Sequence, residues 1–317
     1  MTQLISVVIL LVGLAVLIVG ADALVRGAAQ LAKHLGLSPF AIGVTVVAFG
    51  TSAPELFASV GAAVQGQTGL AVGNVVGSNI ANIALILGIG GLIIPIGVHR
   101  KVRRVEIPLM VVVTIGTIAL LIDGVLTRVE GGVLFVGLIA YVTYIIKAHK
   151  EDIEHGLEDA VAKIKPVWVD VLYVVLGIVG LGLGAKVLVL GATDLAESIG
   201  IPAGIIGTTI VAFGTSVPEL AATIRAALSK QLDMAVGNIV GSNVFNLLSV
   251  LGVTALVKPL VMDPSMEWHL FAMLGVAVLL MVWVLVRPVI AKVSGLMLLA
   301  VYIAYVVVAY AGIPGVS

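Results

Sequence analysis

Apolar runs close to 20 residues long follow one another along nearly the whole of this 317-residue chain, with short polar turns between them. A run of about that length is what an α-helix needs to cross a hydrocarbon layer about 30 Å thick. A backbone in lipid has no water to bond, so only helices or a closed barrel can span it. The alternating pattern of barrel strands is missing from these Leu, Ala, Val and Ile runs, and an all-α polytopic membrane protein is expected. Composition agrees: 11% of residues are charged, against about 25% in a soluble domain. Mean hydropathy is +1.24.

Ten spans are expected, at 4–30, 38–64, 70–94, 105–122, 129–147, 167–196, 202–228, 234–257, 268–286 and 289–311. The first has no basic leader and continues into GADALVRG, so it reads as a mature helix rather than a signal peptide. The one long charged stretch, 148–166, joins a first half, 1–147, to a second, 167–317. Its acidic residues lack the spacing and glycine of a Ca²⁺ loop and read as a solvated face. With no cysteine, disulfides, thiolate metal sites and cysteine nucleophiles are excluded.

The halves are copies. GVTVVAFGTSAPELF at 43–57 returns as GTTIVAFGTSVPELA at 207–221, and AVGNVVGSNIAN at 71–82 as AVGNIVGSNVFN at 235–246. GADALVRGAAQLAKHLG at 20–36 returns at the same offset as GAKVLVLGATDLAESIG. Five spans per copy is an odd number, so the second copy must insert upside down, the inverted-repeat plan of many secondary transporters. Two equivalent sites are then expected to meet near the midplane. With the N-terminus outside, fourteen Lys and Arg fall at inner span ends and two, Arg128 and Lys258, at outer ones. Basic residues favour the cytoplasm, so both termini are expected outside and the 148–166 linker inside.

Each copy carries one glutamate in apolar sequence, Glu55 or Glu219. A charge at mid-bilayer costs roughly 2.5–3.5 kcal/mol on insertion scales and marks function. Pro54 and Pro218 remove a backbone donor and crowd the preceding turn, so each helix is expected to kink or break there, inside the bundle. Thr51, Ser52 and Glu55, with Thr215, Ser216 and Glu219, then offer hydroxyls and a carboxylate within one turn. Ser78 and Asn82 lie four apart on one helix face, as do Ser242 and Asn246. These hard oxygens suit Na⁺, Ca²⁺ or Mg²⁺, whereas zinc or copper would call for His and Cys. The two glutamates together match the charge of one Ca²⁺ or two Na⁺.

Single Ser, Thr or Asn residues in membrane helices usually just bond a neighbouring helix, at about 0.6 kcal/mol each. Repetition of the whole constellation is what favours a site. Asn74 and Asn238 read as interhelical bonds and the Gly73/Gly77 and Gly237/Gly241 pairs as packing, while Asp22 and its counterpart Lys186 read as interfacial charges.

The paired GTS-x-PE and GN-x-x-GSN motifs in an inverted duplication resemble the sodium/calcium exchanger family over the full length. The resemblance implies ten helices, with the second, third, seventh and eighth around the ions, and alternating access that exports Ca²⁺ as Na⁺ enters across the plasma membrane. Carried over by position, the ligands are Thr51, Ser52, Glu55, Ser78 and Asn82, then Thr215, Ser216, Glu219, Ser242 and Asn246, with the carbonyls of Ala48 and Ala212. No cofactor is implied; the partners are Ca²⁺, Na⁺ and lipid, with no nucleic acid or protein partner. Many family members carry an aspartate where Asn246 stands, and an acid where Lys186 stands, which leaves H⁺ or K⁺ coupling open as alternatives. A cation channel is a rival of another class. An intramembrane enzyme is disfavoured, since no histidine base at depth, HExxH or pair of membrane aspartates is present.

Overall fold

The computed structural model describes residues 3–150, 166–199 and 212–311. Most of the expected linker and the start of the seventh expected span lie outside the described residues. What is described is helical: α1 Gln3–Leu35, α2 Pro39–Thr51, α3 Ala53–Val64, α4 Thr68–Ile93, α5 Ile107–Leu120, α6 Arg128–Ala148, α7 Val167–Ser198, α8 Ala212–Gly214, α9 Val217–Leu228, α10 Leu232–Val257, α11 Glu267–Val286 and α12 Lys292–Ala311. Two-residue strands β1 Ile96–Gly97, β2 Val125–Leu126, β3 Leu260–Val261 and β4 Val289–Ile290 punctuate the turns.

Among the described residues seven helices are long and apolar enough to cross a membrane, and α2 with α3 makes an eighth across a break at Ser52. The expected fourth span begins instead as a π-helical turn, Val102–Glu106, before the 14 residues of α5. α1 runs on to Leu35, five residues beyond its expected end, because no glycine or proline intervenes before Gly36, which closes the helix at φ 61°.

The chain forms two compact units, each drawing on both sequence halves: Met1–Pro54 with Ala140–Gly241, and Glu55–Ile139 with Ser242–Ser317. In the first unit the long helices α1 and α7 pack along their length. Gly13, Gly20 and Gly27 of α1 meet α7 at Leu188, Leu181 and Val174, while Gly177, Gly184 and Gly191 of α7 meet Leu24, Leu17 and Leu10 of α1. As one number rises by seven the other falls by seven, so the two equivalent helices run antiparallel. Missing side chains at these glycines let the backbones touch, the usual way apolar helices associate in lipid. Beside this seam Asp22 accepts from Arg225 of α9 and pairs with Arg26 one turn on. His34 Nδ1 stands 2.7 Å from buried Asp170 Oδ2, tying the end of α1 to the start of α7. Asp22 thus holds an ion pair, as its interfacial reading expected, and Lys186 is exposed.

The second unit shows the inversion independently. β1 pairs antiparallel with β4, Ile96 against Ile290, and β2 with β3, Val125 against Val261. α5 leads from β1 to β2, whereas α11 leads from β3, beside β2, to β4, beside β1. These equivalent helices therefore point in opposite directions, as an odd-numbered repeat requires.

Candidate cation site

Both copies of the GTS-x-PE sentence break their helix at the serine. Ser52 sits at φ −84°, ψ 3° between α2 and α3, and Ser216 at φ −89°, ψ 1° before α9. Proline two residues on explains both breaks, since it cannot donate to the preceding turn. A π-helical turn, Gly43–Val47, precedes the break in α2.

In the first unit Ser52 Oγ donates to Glu219 Oε1 at 3.1 Å. Glu219 is fully buried, and its Oε2 has no hydrogen-bond partner among the described residues. Thr51 Oγ1 lies 3.3 Å from both the Ala48 carbonyl and Asn238 Oδ1, and the Ala48 carbonyl also accepts the Ser52 N–H at 2.9 Å. Ala48, Thr51, Ser52 and Glu219 are thereby held in one hydrogen-bonded group. Ser216 is buried, Thr215 half-buried, and Ala212 lies in α8.

Asn238 organises this group. Its Nδ2 donates to Thr223 Oγ1 at 2.9 Å and reaches the Glu219 carbonyl at 3.4 Å, while its Oδ1 faces Thr51. Asn74 repeats the first two contacts in the second unit, donating to Ser59 Oγ at 3.0 Å and the Glu55 carbonyl at 3.3 Å. Both asparagines make the interhelical bonds that their sequence reading assigned. Replacing Asn238 with Ala strands a buried threonine hydroxyl and is expected to lower stability by about 1–3 kcal/mol. Thermal unfolding of the purified protein reads this loss.

In the second unit Glu55, at the start of α3, is fully buried, and so in effect are Ser78, Asn82, Ser242 and Asn246. Ser242 Oγ, Asn246 Oδ1 and both amide atoms of Asn82 lack hydrogen-bond partners among the described residues. Such buried, unsatisfied atoms are rare in folded proteins, and each calls for an explanation. The two asparagines also sit in π-helical turns, Ala81–Ile86 and Asn246–Leu251. π-turns inside α-helices gather at functional sites.

Sequence reasoning missed the π-turns, which leave no compositional mark, and it missed Asn79. This buried residue links α4 to α10, donating to the Asn243 carbonyl at 3.2 Å and accepting from Asn246 Nδ2 at 3.0 Å. A signal was present: Asn79 and Asn243 occupy matching places in the duplicated GSN phrase. The GxxxG pairs differ between copies. Gly237 and Gly241 press on the backbone of α2 at Phe40 and Val44, whereas nothing described lies within 4 Å of the place a Gly77 Cβ would take.

Comparison with known proteins gives a consistent result. The family model described as sodium/calcium exchanger protein matches twice, over 5–147 and 169–311. The inner membrane protein YrbG of Escherichia coli is 34% identical over 89% of this chain and 90% of its own length. The sodium/calcium exchanger MaX1 of Methanosarcina acetivorans is 32% identical, over 88% and 91%. A solved structure of the sodium-calcium exchanger NCX_Mj, soaked with zero Na⁺ and Ca²⁺, superposes with a TM-score of 0.86 at 31% identity, covering 97% of this chain and all of that one.

Proposed function

Because this chain belongs to the sodium/calcium exchanger family, we propose that it exports Ca²⁺ in exchange for Na⁺ by alternating access, with the duplicated polar constellations as its cation ligands. The family consists of transporters, and the chain is an integral membrane cation antiporter. The observation that carries the finer reading is the set of buried oxygens left unsatisfied among the described residues: Glu219 Oε2 in the first unit, and Ser242 Oγ with the carbonyl oxygens of Asn82 and Asn246 in the second. A carboxylate buried in lipid with no counter-charge is costly, and a bound hard cation supplies both charge and coordination. Glu55, matched to Glu219 by the duplication, contributes the second negative charge.

Thr51, Ser52, Thr215, Ser216 and Ser78 supply neutral oxygens, and the Ala48 and Ala212 carbonyls complete the set. The Ser52 bond to one oxygen of Glu219 supports this assignment, since it fixes the carboxylate while leaving the other oxygen for an ion. The skew of Lys and Arg supports extracytoplasmic termini and a cytoplasmic 148–166 linker. The inner-membrane name of YrbG supports a place in the cell membrane.

Proteoliposomes decide the coupling. Vesicles loaded with Na⁺ are expected to accumulate Ca²⁺ when diluted into Na⁺-free medium, with saturation and without a standing conductance. Uptake driven only by a proton gradient would make H⁺ the counter-ion, a K⁺ requirement would add a co-transported ion, and ohmic Ca²⁺ current would indicate a channel. No Ca²⁺ movement under any gradient would overturn the substrate.

A further inference from the structure

We propose that Asn79 is a positioning residue that sets which end of the Asn246 amide faces the transported cation. The inference rests on the reading of Asn246 as a cation ligand and extends it to a residue that touches no ion. A side-chain amide has a donor end and an acceptor end, and a neutral asparagine ligates a cation only through its oxygen. Something must therefore choose the rotation of Asn246.

The choice is made three groups back. Asn79 Nδ2 has two neighbours, the Asn243 backbone carbonyl at 3.2 Å and Met273 Sδ at 3.6 Å. A carbonyl and a thioether can only accept, so Asn79 must turn its NH₂ toward them. Its Oδ1 then faces Asn246 at 3.0 Å, and only the NH₂ of Asn246 can satisfy it. The Asn246 oxygen is left on the other side of the group, buried and without a hydrogen-bond partner. Reversing Asn246 would set oxygen against oxygen, and reversing Asn79 as well would set its oxygen against the Asn243 carbonyl. A main-chain oxygen that cannot rotate thus fixes the polarity of a ligand three residues further along α10.

Asn82, the counterpart of Asn246, has neither amide atom bonded among the described residues, so it carries no such restraint. The two copies have diverged at this point: one amide is oriented in advance and the other is not. Orienting a ligand before the ion arrives reduces the ordering cost of binding.

An aspartate at 246 would present an oxygen in either rotation and would need no such control. This supplies the test, a double-substitution cycle on half-saturating cation concentration in the proteoliposome exchange assay. Asn79→Ala in the wild-type background is expected to raise the half-saturating concentration about tenfold, with maximum rate changed less than about threefold, because the lost term is ligand orientation. In an Asn246→Asp background, where a carboxylate oxygen faces Asn79 Oδ1 in either rotation, the same Asn79→Ala change is expected to raise it less than about twofold or to lower it. Melting curves of all variants report folding separately. An equal loss from Asn79→Ala in both backgrounds would give Asn79 a packing role only, and no loss in either would overturn the proposal. Unchanged affinity in Asn246→Ala would instead remove Asn246 from the ligands and with it the reading on which the proposal stands.

Discussion

Glu219→Gln is expected to abolish exchange while leaving the protein folded. Gln keeps the length and planarity of the side chain, and Ser52 Oγ can still donate to its carbonyl, so the packing around α9 is preserved. What disappears is the charge. Removing one partner of a buried charge pair costs about 3–5 kcal/mol, roughly 10²- to 10⁴-fold in affinity for a divalent cation. Stability should move the other way when no cation is present, since Gln removes a fully buried carboxylate with one unbonded oxygen. Two measurements made together check this: Ca²⁺ uptake falling to background, and a cation-free melting midpoint equal to or above wild type. Glu55→Gln is expected to behave alike. Retained uptake in either variant would refute the assignment of the ion ligands, and a collapsed melting curve would make the loss one of folding.

Widening the seam between α1 and α7 should have the second largest effect, and through stability rather than binding. A Cβ at Gly20 would lie 2.7 Å from the Leu181 backbone nitrogen, and one at Gly184 would lie 2.7 Å from that of Leu17. Backbone atoms in the middle of a helix cannot rotate away, so the helices must separate and lose contact along the seam. Gly20→Val and Gly184→Val are each expected to cost about 1–3 kcal/mol or more, appearing as reduced membrane yield and a lowered melting midpoint. Gly182, on the same helix, has nothing described within 4 Å of its missing Cβ, and Gly182→Ala serves as the neutral control. Equal behaviour of Gly184 and Gly182 variants would mean that close approach is not what holds α1 to α7.

Much of this was legible in the chain because its physics is local or arithmetical. Apolar length requires helices in lipid, proline two residues past Ser52 and Ser216 breaks them, and an odd number of spans per copy inverts the second copy. Burial of Glu55, Glu219, Ser78, Asn82, Ser242 and Asn246 followed from the cost of leaving them in lipid and from the repetition.

Which face of each helix meets another could not be read the same way. In water a helix declares its buried face by an apolar stripe, but lipid is as apolar as a protein interior, so α1 is hydrophobic all round: Leu17 and Leu24 are buried while Leu11 and Val19 are exposed. There the missing side chain carries the signal, and it was overlooked: glycines seven residues apart in α1 and again in α7. Partners were less legible still. Ser52 bonding Glu219, and Asn79 turning Asn246, join residues 167 positions apart in both cases. Which residues must be kept out of lipid can be read along the chain, because the cost of exposing them belongs to each residue alone. Which atoms they face, and which oxygens remain for an ion, emerges from the packed helices, because a hydrogen bond has direction and needs both of its ends in place.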